Sequence, residues 1–263
     1  MRESITALSA LKRRIARIGA IPSALGESGI ALGHAPMDAA LGGGLARGKV
    51  HELFALAASD AGSAAGFALM LALKARGGGA VLWLRTEAAE RGQGALYAPG
   101  LVALGLDPGA LVIGVMPDDV ALLKAAVDAV RCGDLGAAVI ECRGNPRALD
   151  LTASRRLAIA AEKSGVTALF LRTEAVPAPS AAETRWAVRP AVSVALEAEA
   201  PGQTAIEVEL LRRRAGPSGM RWRLEWDRDG QAFREETLSG AVVPVLRDGP
   251  AADRGTESLR QTA

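Results

Sequence analysis

Five short apolar runs, each separated from the next by a helix-length stretch, constrain this chain most. They lie at residues 50–56, 80–85, 111–115, 137–141 and 166–172. Helical patterns fill the gaps: residues 62–76, a segment around 96–104, a stretch from an Asp118 cap to Arg131, and 151–163 behind Asp150 or Thr152. The third carries Val120, Leu123, Val127 and Val130 on one predicted face. Gly77-Gly78-Gly79 terminates the first. Strands that read as continuous apolar runs between helices imply a mostly parallel sheet with helices on both faces, an α/β fold.

The pattern changes after Thr173. Residues 175–180 read as a loop, and 185–188, 191–196, 206–211 and 221–226 read as strands. Ile206, Val208 and Leu210, then Trp222, Leu224 and Trp226, alternate with charged residues. Gly216-Pro217-Ser218-Gly219 turns between them, so a C-terminal antiparallel hairpin with one buried face is expected. At the other end, Ile5, Leu8, Leu11, Ile15 and Ile18 recur at helical spacing, followed by a Pro/Gly/Ser linker over 20–29. Three regions follow: a helical arm and linker (1–28), a core with its β extension (29–240), and a disordered tail (241–263).

Composition excludes several classes. The chain is 49% hydrophobic but only 3% aromatic, so its core is expected to be aliphatic, built from Ala, Leu and Val. A net charge of +2 is too small to argue nucleic-acid binding from bulk electrostatics. No uncharged apolar run reaches the roughly 18 residues of a membrane span. The charges Lys12, Arg13, Arg14 and Arg17 follow the first apolar residues, the wrong order for a secretory signal. Cys132 and Cys142 lack a Cys-x-x-Cys or a nearby His, so a reduced, cytoplasmic protein without metal is expected.

The stretch from Asp38 to Leu53 carries Leu41-Gly42-Gly43-Gly44-Leu45 and Arg47-Gly48 ahead of the first strand. Glycine tolerates positive φ cheaply, so the triple glycine reads as a tight reversal out of a short helix. It looks like the entry to the core of RecA-like ATPases, where strand one leads into a phosphate loop, G-x-x-x-x-G-K-[ST]. There the glycines curl backbone N–H groups around phosphates, the lysine neutralises charge and the hydroxyl holds Mg²⁺. In this register Ala57 takes the first glycine's place, Gly62 survives, Ser63 takes the lysine's place and Ala64 the hydroxyl's. Asp60 adds a negative charge facing the phosphates. ATP hydrolysis is not expected, since phosphoryl transfer rests on positioning and charge neutralisation. Weak nucleotide binding at the helix N-terminus stays open.

Glu87 and Glu141 stand at strand ends, where α/β sheets place ligands. In RecA-like proteins these are the places of a water-activating glutamate and of the Walker-B acid. Both read here as relics, solvated or paired with Arg85 and Arg143. His34 and His51 have no partner at nucleophile or metal spacing, and no serine sits in a G-x-S-x-G context.

Together these features resemble the ImuA family, degenerate RecA-like proteins of the bacterial SOS response. The resemblance rests on Leu41 to Gly48 with Val50 to Leu53, Val81 to Leu84, Leu96-Tyr97-Ala98-Pro99-Gly100-Leu101 with Leu104 to Pro108, Arg131-Cys132, Leu149-Asp150-Leu151-Thr152-Ala153-Ser154-Arg155-Arg156-Leu157, Thr184 to Trp186, and Trp222 to Trp226. It implies a non-enzymatic part in translesion synthesis and mutagenesis. The implied partners are an ImuB-like inactive Y-family polymerase homologue, an error-prone C-family polymerase and RecA. More distantly the chain resembles the SulA division inhibitors, the first rival; an active RecA-like ATPase is the second. The arm residues Ile5, Leu8, Leu11, Ile15 and Ile18 are the expected partner-binding stripe, unless they fold onto the core. Direct DNA binding is expected to be weak or absent: of the two candidate loops, 143–149 is short and 173–183 has no Lys or Arg. Arg212, Arg213, Arg214, Arg221 and Arg223 are interleaved with Glu207, Glu209, Glu225 and Asp227.

Overall fold

The computed structural model describes residues 29–193, 200 and 202–235. The arm and its five apolar residues, and the tail from 241, lie outside them. Parallel strands β1 (Val50–Ala55), β2 (Ala80–Thr86), β3 (Leu111–Met116), β4 (Leu135–Arg143), β5 (Thr167–Thr173) and β6 (Thr184–Pro190) form one sheet with antiparallel β7 (Ala205–Arg213), β8 (Met220–Asp227) and β9 (Ala232–Glu235). The order is β3-β2-β4-β5-β1-β6-β7-β8-β9. The helices are α1 (Ala35–Ala40), α2 (Ala61–Ala75), α3 (Glu87–Gln93), α4 (Ala98–Ala103), α5 (Asp119–Val130) and α6 (Leu151–Ser164).

The parallel sheet and the β7–β8 hairpin are as the sequence predicts. Asp150, not Thr152, caps α6, its carboxylate accepting from the Ala153 N–H at 2.7 Å. Residues 191–193 are irregular rather than the start of a strand, and 194–196 lie outside the described residues. Neither α3 nor β9 is marked by a long pattern in the sequence.

Gly42, Gly43 and Gly44 all take positive φ. At Gly44 a Cβ would lie 2.4 Å from the Ile30 carbonyl oxygen, so the reversal needs glycine for space as well as for conformation. Asp38 fixes this entry: its carboxylate accepts the Leu32 and Gly33 N–H groups, and its carbonyl accepts those of Gly43 and Gly44.

Helix α2 is apolar on nearly every side, and Phe67 through Ala72 are fully buried. A helix with no polar face must be enclosed. It packs on β1, β4, β5 and β6 and shares one apolar core with Ile206, Val208, Leu210, Leu224 and Phe233 from the antiparallel strands. The few aromatics concentrate here. Phe67 stands 5.9 Å from Trp186 and 5.5 Å from Phe233, and Trp226 packs edge-on against Phe233 at 4.9 Å. The core is therefore mostly aliphatic, with Phe67, Trp186, Trp226 and Phe233 gathered at α2 and the C-terminal strands, and with Phe170 in the core under α5 and α6.

Helix α5 bears out part of the predicted face: Val130 is buried, Leu123 and Val127 are half-buried against the core under α5 and α6, and Val120 is 48% exposed. Leu122, Ala126 and Ala129, outside that face, are buried in the same core. Periodicity favoured the larger side chains, but small residues let the helix lie close on the sheet.

Candidate functional site

The phosphate-loop slot joins β1 to α2. The connection runs over Leu56 to Asp60, and Ala58–Asp60 form a 3₁₀ turn. Asp60 closes it from within: its carboxylate accepts the Ala57 N–H at 3.2 Å and faces the Ser59 hydroxyl at 3.4 Å. A carboxylate of the chain itself thus occupies a backbone donor of the kind a phosphate loop offers its anion. Gly62 is exposed, with open space where a Cβ would stand. Ser63 is half-buried, and Ala64, in the hydroxyl's place, is fully buried.

Glu141 is not solvated. It lies 2% exposed on β4 and accepts from Arg85 Nη2 at 3.0 Å and Trp83 Nε1 at 2.9 Å. Arg85, equally buried, also donates to the Gly94 carbonyl at 2.8 Å. The expected pairing with Arg85 holds; that with Arg143 does not. Arg143 instead makes a two-pronged contact with Glu174, at 3.0 and 3.1 Å. Glu87 is the first residue of α3, exposed and paired with Arg91 at 3.2 Å. The two strand-end acids therefore lie in different surroundings, one in the core and one on a helix surface. Beside Glu141 lies a cleft of about 320 Å³ among Gly62, Trp83, Arg85, Leu96 and Leu101.

A second buried charge cluster sits on β1, β5 and β6. Glu52 accepts from Arg185 Nε at 2.9 Å and from the Ser180 hydroxyl at 2.8 Å, and lies 3.7 Å from Arg172 Nη1. Arg172 also donates to the Gly144 carbonyl and to Asn145 Oδ1, and stands over the Phe54 ring. Glu52, Arg172 and Arg185 are each at most 9% exposed. The apolar neighbours of Glu52 and Arg172 hide them in the sequence; the signal was a carboxylate inside a strand run, at Glu52.

His51 is buried between the Thr184 hydroxyl, 2.8 Å away, and the Ala46 carbonyl, 2.9 Å away. Burial pushes its pKa down to about 4, so the ring is neutral at physiological pH. His34 is buried too, and its Nδ1 caps α1 by accepting the Met37 N–H. Both serve the fold. Cys132 and Cys142 are free thiols, and burial pushes the Cys142 pKa up to about 12, far from a reactive thiolate.

The hairpin arginines are partly spent on the chain itself. Arg221 pairs with Glu209 at 2.9 Å, Arg213 donates to the Ala40 carbonyl at 2.8 Å, and Arg223 donates to the Val192 carbonyl. The two candidate DNA loops are tied together by the Arg143–Glu174 pair and by Asn145, which donates to the Val176 carbonyl. No helix among the described residues is long and apolar enough to cross a membrane.

No family model matches the chain. Among curated proteins, Protein ImuA from two strains of Caulobacter vibrioides is 35% identical over 166 residues, covering 58% of this chain and 64% of that protein. The match thus spans a little under two thirds of those relatives' length. Among solved structures, the crystal structure of the RadB recombinase superposes with a TM-score of 0.51 at 14% identity, covering 78% of this chain and 99% of that one. At that identity the likeness concerns the fold, which is RecA-like. Over those 166 residues the chain is similar to Protein ImuA, and the fold that carries the match is RecA-like.

Proposed function

We propose that this protein is a non-catalytic, cytoplasmic RecA-like adaptor in DNA-damage-induced translesion synthesis and mutagenesis. It acts through protein contacts with an ImuB-like inactive polymerase homologue, an error-prone C-family polymerase and RecA, and binds DNA weakly or not at all. The observation that carries the reading is the phosphate-loop slot. Serine and alanine stand where a lysine and a metal-holding hydroxyl work, and Asp60 presses a carboxylate onto the loop's own backbone. Such a slot supplies neither the charge neutralisation nor the metal that phosphoryl transfer needs. Likeness to Protein ImuA gives the adaptor its setting.

The test is a pull-down of the purified full chain against purified mutasome partners and, in parallel, a tubulin-like division protein. Retention of the ImuB-like partner alone is the expected result. Retention of the division protein alone would replace this reading with that of a division inhibitor.

A further inference from the structure

Val120, Leu123 and Val127 form a stripe on α5 that is not fully covered: Val120 is exposed, and Leu123 and Val127 are half-buried with one side against the core. Leu122, Ala126, Ala129 and Val130 already seat this helix on the sheet. The stripe lines, with Ala153 and Leu157 of α6, a groove of about 460 Å³. The charged residues of its lining are Lys124, Arg131, Arg156 and Asp128, three cations against one carboxylate. Asp128 is already held by Arg131 at 3.4 Å. Lys124 and Arg156 have no carboxylate partner among the described residues.

We propose that this groove receives an amphipathic helix of a partner protein, apolar on its seated face and acidic along its flanks. The twelve residues of α5 span about 18 Å, the length of three helical turns, and Val120, Leu123 and Val127 repeat at the spacing a seated helix presents. The rim charge selects the sign of the occupant. It also disfavours the chain's own N-terminal segment, whose polar residues Lys12, Arg13, Arg14 and Arg17 are basic. Nucleic acid fits less well, because the lining has no aromatic side chain on which a base could stack. This deepens the adaptor reading by giving one partner surface its chemistry. The two fail separately: ATP turnover would end the adaptor reading and leave the groove's affinity untouched, and the reverse holds for a groove that binds nothing.

The experiment uses the full chain and a labelled synthetic helical peptide of about 14 residues with leucines on one face and glutamates on its flanks. Its lysine-flanked counterpart and a single-stranded oligonucleotide serve as competitors, with binding read by anisotropy. The glutamate peptide is expected to bind and to weaken with salt. Lys124→Glu with Arg156→Glu, both at exposed positions, is expected to lower its affinity about tenfold and to transfer preference to the lysine peptide. Val120→Asp, also exposed, is expected to weaken both peptides. The proposal is overturned if the glutamate peptide does not bind, if the charge reversal leaves its affinity unchanged, or if the oligonucleotide displaces it.

Discussion

Glu141→Ala is expected to cost about 3–5 kcal/mol of folding stability, because it leaves Arg85 as an uncompensated charge in the core. Arg85 is 2% exposed and its other bond runs to the Gly94 carbonyl, so water cannot replace the lost carboxylate without opening the packing. The Trp83 indole N–H would lose its acceptor as well. Urea unfolding of wild type and variant measures the difference. A companion variant, Arg85→Met with Glu141→Leu, removes both charges and is expected to recover much of the loss, since an apolar pair of similar volume often matches a buried ion pair. A Glu141→Ala chain that unfolds at the wild-type midpoint would mean that the carboxylate carries no structural burden. The residue at the Walker-B place would then be free for other chemistry.

A loss of similar size, about 3–5 kcal/mol, is expected for Glu52→Ala, for the same reason doubled: one carboxylate faces two guanidinium groups. Arg185 lies 2.9 Å away and relies on Glu52 and Ser180, whereas Arg172 has further acceptors in Gly144 and Asn145. Arg185→Met placed in the Glu52→Ala background should therefore restore more stability than Arg172→Met does. Equal rescue by the two would show that Glu52 serves both arginines alike, against the geometry. Because this cluster joins β1, β5 and β6, its loss is expected to loosen the pairing of these three parallel strands, of which β6 carries the antiparallel ones.

The parallel core was legible because its strands are buried on both faces and leave long apolar runs, and because Asp118 and Asp150 mark helix starts with side chains that do cap. The triple-glycine reversal was legible for the same kind of reason, since few residues tolerate its backbone. Shorter elements were not. Helix α3 has seven residues and β9 four, too few for periodicity to accumulate. The face of α5 was read only in part, because size marks hydrophobic residues more strongly than fit does: Val130 is buried as expected, but so are Leu122 and the small Ala126 and Ala129. At the site, the sequence showed which residues stand in the phosphate-loop register: Ala57, Gly62, Ser63 and Ala64. It offered Arg85 as a partner for Glu141 but not the burial of the pair, which depends on strands far apart in the chain, here β2 and β4. Nor did it show the groove beside α5, which exists only once α6 is set against it.

We propose that the phosphate-loop slot of this RecA-like core serves the protein's own framework and does not turn over nucleotide. Phosphate release by the full chain with Mg²⁺ and ATP, with and without single-stranded DNA, tests it most directly, with Glu87→Gln as the control. The account predicts no release above that control under either condition, since Ser63, Ala64 and Asp60 leave nothing to neutralise the transferred group. DNA-stimulated release clearly above the Glu87→Gln level would contradict it.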